Sequence, residues 1–151
     1  MTMIFRKITT TIYILTLFLG MGSFARHSFC QSHFDVSGKW TVNFVGIEKG
    51  CKDSSKNGSK EGLFTFDVLQ QGESVSGLSD DGETTNLLSG MLTGNRIKLA
   101  VKGVAGDCMS ETKLRGQVIV GNIIKGSYEG GNINCDTCKW HGMFSVEINK
   151  K

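Results

Sequence analysis

The amino-acid sequence predicts an all-β protein, a small eight-stranded up-and-down antiparallel β-barrel, behind an apolar N-terminal segment. Three observations carry this reading. Apolar residues alternate with polar ones in short runs, the period of a half-buried strand, and no stretch holds a helical period. The chain has 20 glycines and no proline, so strands can end in tight turns and no residue breaks a ladder. The runs follow one another at hairpin spacing, and eight strands suffice to close a meander and remove both of its edges.

The first element is a targeting segment. Arg6 and Lys7 precede an uncharged apolar run from Ile8 to Met21, and Ser23 and Ala25 supply the small residues that signal peptidase reads. Cleavage after Ala25 is expected; the run is short for a membrane span of about 20 residues. Its loss removes two of the 17 Lys+Arg and none of the 14 Asp+Glu, leaving a net charge of +1. Such a domain has no electrostatic footprint for nucleic acid or for an anionic membrane surface, and no membrane insertion is expected after cleavage. Residues 26–37 read as a tail containing Cys30, and residues 38–149 as the barrel domain.

The strands are expected at residues 39–47, 63–70, 74–79, 85–92, 96–102, 112–120, 123–129 and 139–148. In the first, Trp40, Val42 and Phe44 face one way; in the last, Trp140, Gly142, Phe144, Val146 and Ile148 do. Gln71-Gly72-Glu73, Gly94-Asn95 and Gly121-Asn122 are tight turns at one rim. The segments 88–99 and 114–126 look like one hairpin used twice. Connections 48–62, 80–84, 103–111 and 130–138 gather at the other rim. The alternative to closure is a flattened sandwich or an open roll.

All four barrel cysteines, Cys51, Cys108, Cys135 and Cys138, fall in this second set of connections. In an exported chain they are disulfide halves by default. First and last strands are neighbours in a closed barrel, which favours Cys51–Cys138 and Cys108–Cys135 among the three possible connectivities. The Cys135-x-x-Cys138 spacing has other readings. Haem attachment needs a histidine where Lys139 stands, and a thioredoxin-like dithiol needs a following helix. A zinc site from the four cysteines, or with His141 replacing one, ranks below oxidation, so no metal is expected.

The stretch FDVSGKWT, Phe34 to Thr41, resembles the start of the first strand in the calycin barrels, the lipocalins and avidins. Their glycine-x-tryptophan is matched by Gly38-Lys39-Trp40. The resemblance implies that Trp40 plugs the closed end of the barrel. Small bacterial metalloprotease-inhibitor barrels, which carry a disulfide, are similar at the same motif.

No catalytic constellation is visible. Asp80, Asp81 and Glu83 are first of all turn residues, and neither enzymatic activity nor a cofactor is expected. Asn57-Gly58-Ser59 is a formal glycosylation sequon. Two functions remain. One is a secreted or periplasmic carrier of a small, largely apolar, uncharged or weakly acidic molecule. The other is a protein-binding or inhibitor module acting through the cystine-clamped mouth loops. For the carrier, the inward residues Phe44, Phe64, Leu88, Leu114, Tyr128 and Trp140, with Gly90 and Gly116, form the expected ligand-binding set. The inward glycines Gly77, Gly90, Gly116 and Gly126 are expected to leave side-chain volume empty; the alternative is that they only let the sheet coil tightly.

Overall fold

A computed structural model describes residues 34–150. The expected export segment and Cys30 lie outside the described residues. Eight strands run in chain order around a closed barrel: β1 (Gly38–Lys49), β2 (Gly58–Gln71), β3 (Ser74–Asp80), β4 (Thr85–Thr93), β5 (Arg96–Ala105), β6 (Cys108–Val120), β7 (Ile123–Asn132) and β8 (Lys139–Asn149). Each pairs antiparallel with the next, and β1 closes on β8 from Lys39↔Asn149 to Lys49↔Lys139. No helix among the described residues is long and apolar enough to cross a membrane.

Strands are longer than the apolar alternation suggests, by a single residue at most at the closed rim and by up to five at the mouth. β2 starts at Gly58, because Ser59, Lys60 and Glu61 continue the ladder opposite Ile47, Gly46 and Val45. β5 and β6 run on to a two-residue turn at Gly106-Asp107, so the expected loop 103–111 does not exist. Gly106 takes the positive φ of 57° that this turn requires. Backbone pairing here holds a polar wall, which apolar patterning does not register.

The opposite rim is the closed one. Its three turns are clipped in the same way: Glu73, Asn95 and Asn122 each offer a carbonyl to a strand arriving from further along the chain. The donors are the amides of Leu92, Val118 and Ile148, all at 2.8 Å. The hairpin resemblance between 88–99 and 114–126 is therefore shared turn chemistry, used a third time at β2–β3. Leu92, Val118 and Ile148 are all buried behind these clips.

The core fills this end. Trp40 is 1% exposed and packs in one cluster with Val36, Phe66, Val68, Val75, Ile97 and Ile148. Residues 34–37 contribute more than a tail: the Val36 amide donates to Gln70 Oε1 (2.8 Å), and the Gln70 amide donates to Ser37 Oγ (3.0 Å). The lower barrel thus seals itself, and any interior space is displaced towards the other rim.

Candidate functional site

Above this floor the barrel encloses a cavity of about 430 Å³ that opens at the cysteine-bearing mouth. Its lower wall is apolar. Trp40, Val42 and Phe44 come from β1, Phe64 and Phe66 from β2, Leu88 from β4, Val101 from β5, Leu114 from β6, and Phe144 and Val146 from β8. Strand alternation puts these residues inside, with their chain neighbours outside. Phe44 anchors one side: it stacks on Phe64, centroids 5.3 Å apart at 16°, and meets Tyr128 edge-on at 6.1 Å and 87°.

Higher up the lining becomes polar. Thr84, Asn86, Ser110, Thr112 and Tyr128 face the space, and Glu48, Lys60, Glu61 and Asp81 ring its opening. Trp140 Nε1 donates to Thr112 Oγ1 (2.9 Å), pinning the indole across the β6–β8 side of the entrance. Lys60 bridges to Glu48 at 3.9 Å. Burial pushes the Tyr128 phenol above its ordinary value, so it stays protonated at neutral pH.

Six of the eight residues expected at the site therefore line the cavity: Phe44, Phe64, Leu88, Leu114, Tyr128 and Trp140. Gly90 and Gly116 do not. A Cβ on Gly116 would sit 3.0 Å from the Phe144 ring and 2.8 Å from the Lys125 carbonyl, and one on Gly90 would run into the β5 backbone at Lys98 and Leu99. The missing side chains are not empty space. Phe144 fills the volume over Gly116, and Gly126 lets β7 press against Gly116 itself. The cavity exists for another reason: the inward row near the mouth carries short polar residues on β4 and β6. Ser110 lay beyond the expected strand 112–120 and Thr112 at its first position, and the place of both on the inward face follows from counting back from Leu114 in steps of two.

The mouth is clamped by two disulfides, Cys51–Cys138 and Cys108–Cys135, with Cα separations of 4.1 and 5.1 Å. The first ties loop 50–57 to the start of β8; the second ties the first residue of β6 to loop 133–138. Asp136 reinforces the first by accepting from the Lys52 amide (2.8 Å) and bridging to Lys56 (3.7 Å). Thr137 Oγ1 donates to the Gly50 carbonyl. Among the described residues one group, Glu48, Cys51 and Cys138, approaches metal-ligand geometry, but both sulfurs belong to the disulfide. His141 lies exposed on the outer face. The Asn57 amide is used within its loop, accepting from the Cys51 amide and donating to the Ser54 carbonyl.

Comparison with protein-family models, with curated proteins and with solved structures finds no match to this chain. The calycin resemblance thus rests on the Gly38-Lys39-Trp40 motif and on a closed eight-stranded meander with Trp40 at its sealed end. Two disulfides fit an oxidising compartment.

Proposed function

We propose that this protein is an exported carrier that holds a small, largely apolar molecule inside its barrel. One observation carries the reading: a cavity of about 430 Å³, floored by apolar and aromatic side chains and open towards the clamped mouth. That volume falls within the roughly 300–1,000 Å³ of small-molecule sites. An eight-stranded barrel is at the size where the interior is either filled or holds one ligand. The test is titration of the purified chain with the neutral dye N-phenylnaphthylamine, read by dye emission and by tryptophan quenching. Saturable one-to-one binding is expected in the native protein. Val101→Phe, which adds a ring to the cavity wall, should abolish it without lowering the melting temperature. Absence of binding to the folded native protein would refute the carrier reading.

A second reading, a protein-binding module, is favoured by a different feature. The β2–β3 ladder stops at Asp67↔Leu78, so residues 58–66 of β2 pair only with β1. An open strand edge beside a rigid mouth is a place for a partner's strand to add. Leu63, exposed on this strand, is the residue to change. Partners captured from the exported fraction by the native protein and lost with Leu63→Lys, with dye binding unaltered, would support this reading over the first.

A further inference from the structure

The lower cavity is an apolar slot, but the polar groups above it are not all satisfied by the protein. Thr112 Oγ1 is occupied by the Trp140 indole. The Tyr128 hydroxyl, by contrast, has no hydrogen-bond partner among the described residues, although the residue is only 9% exposed and lines the cavity. Its position is built rather than incidental. The ring is held edge-on against Phe44, and the hydroxyl sits over Gly46 and Gly142, where a Cβ on either residue would collide with it. Ser110 Oγ and Asn86 Oδ1 converge over Gly103, within 2.6 and 2.8 Å of where its Cβ would be, and also lack partners among the described residues. Among the described residues no buried side-chain nitrogen or oxygen lacks a partner, so these groups are open to the cavity; a guest that displaces water from them is favoured when it supplies the acceptor or donor in its place.

Charge narrows the chemistry further. Among the described residues that line the opening, Glu48, Glu61 and Asp81 stand against one cation, Lys60, which already bridges to Glu48. An anionic head group placed among these side chains would meet net repulsion.

Resting on the carrier reading, we infer that the ligand is a neutral amphiphile: an apolar body lying over Trp40 and Phe66, and one uncharged hydrogen-bonding head, such as an ester, ketone or amide, at Tyr128. Tyr128 is then a specificity-determining residue that donates its O–H to the head group, with Ser110 and Asn86 flanking it. A carboxylate-headed chain of the same length is disfavoured.

The experiment is dye displacement from the native protein and from Tyr128→Phe and Ser110→Ala, using methyl decanoate, dodecane and decanoate as probes. The ester's affinity relative to the hydrocarbon should be about five- to tenfold higher in the native protein than in Tyr128→Phe, the effect of one well-made hydrogen bond. Decanoate at neutral pH should be the weakest competitor. Tyr128→Phe keeps the ring on Phe44; it should erase most of the ester's advantage over the hydrocarbon, each competitor being referred to the dye affinity of the same variant. Ser110→Ala should reduce that advantage by a smaller factor. An ester-to-hydrocarbon ratio unmoved by Tyr128→Phe, or decanoate competing better than its methyl ester, would overturn the inference while the carrier reading stands. No dye binding to the native protein would refute that reading and the inference with it.

Discussion

The Trp40 indole nitrogen donates to the backbone carbonyl of Val36, 2.7 Å away, and both residues are essentially fully buried. The third residue of β1 is thus bonded to the segment preceding the strand, folding residues 34–37 beneath the barrel. Trp40 consequently has two roles. Its ring is the floor of the cavity, and its N–H satisfies a carbonyl that has lost access to water.

Trp40→Ala should destabilise the fold by about 3–5 kcal/mol, in the range of other buried large aromatic truncations. Trp40→Phe separates the two roles: it keeps much of the floor but leaves the Val36 carbonyl unpaired, at a cost of about 1–3 kcal/mol. Urea midpoints of the two variants measure both effects. Unchanged midpoints would show that the barrel end is sealed without Trp40.

Peptide mapping without reduction should recover Cys51–Cys138 and Cys108–Cys135. The two bridges span sequence separations of 87 and 27 residues. On chain entropy alone, the longer loop contributes about 1 kcal/mol more to stability than the shorter, each being in the range of about 2–5 kcal/mol. Paired serine variants, melted under oxidising conditions, would rank them. Recovery of crossed pairs, or of four free thiols, contradicts the pairing.

The order of strands, the closed topology and the pairing of the cysteines were legible because they depend on alternation and on turn chemistry, both local properties. Eight short alternating runs with turns at Gly94-Asn95 and Gly121-Asn122 leave little choice of topology, and closure places Cys51 beside Cys138. What was not legible depends on distances across the barrel. Gly116 and Phe144 lie 28 positions apart in the chain, and nothing local to Gly116 reveals that β8 sends a ring over it. Of the polar wall, Asn86 and Thr112 fell within the expected strands 85–92 and 112–120, while Ser110 lay beyond them, because inward residues that are polar carry no apolar period to extend the strand.

That contact between Gly116 and Phe144 gives a prediction opposite to the one an empty interior suggests. Leucine at 116 would not plug the cavity. It would compete with the Phe144 ring and with the Lys125 carbonyl, which the β6–β7 ladder holds in place. Gly116→Leu should therefore destabilise by about 1–3 kcal/mol or more, as overpacked positions do. Gly116→Leu with Phe144→Ala should recover part of that loss, because the new side chain then has the ring's volume. Thermal melts of the single and double variants form the check. A single variant as stable as the native protein, with ligand binding lost, would restore the cavity-lining role of Gly116.

The final prediction concerns acid. Asp136 accepts from the Lys52 amide, which holds its carboxyl below the ordinary value, with further lowering from the Thr137 amide and nearby Lys56 and Lys52. Asp35, Asp53 and Asp81 are lowered in the same sense, chiefly by hydrogen bonds from Ser37, Ser55 and Thr84 respectively. A carboxylate whose folded pKa lies below its unfolded value, about 3.9, contributes stability that is complete above the unfolded value. That contribution is lost as pH falls through the folded value. The melting temperature should accordingly be flat from neutral pH to about pH 5 and decline below about pH 4. The local readout is sharper. The Lys52 amide, bridging loop 50–57 to Asp136 across the first disulfide, should be protected from exchange relative to its intrinsic rate at neutral pH and lose that protection once Asp136 is protonated. Asp136→Asn should lower that protection at every pH and remove its acid dependence, while the cystine still holds the two loops together. A Lys52 amide whose protection is insensitive to both pH and the substitution would mean that Cys51–Cys138 clamps this side of the mouth alone.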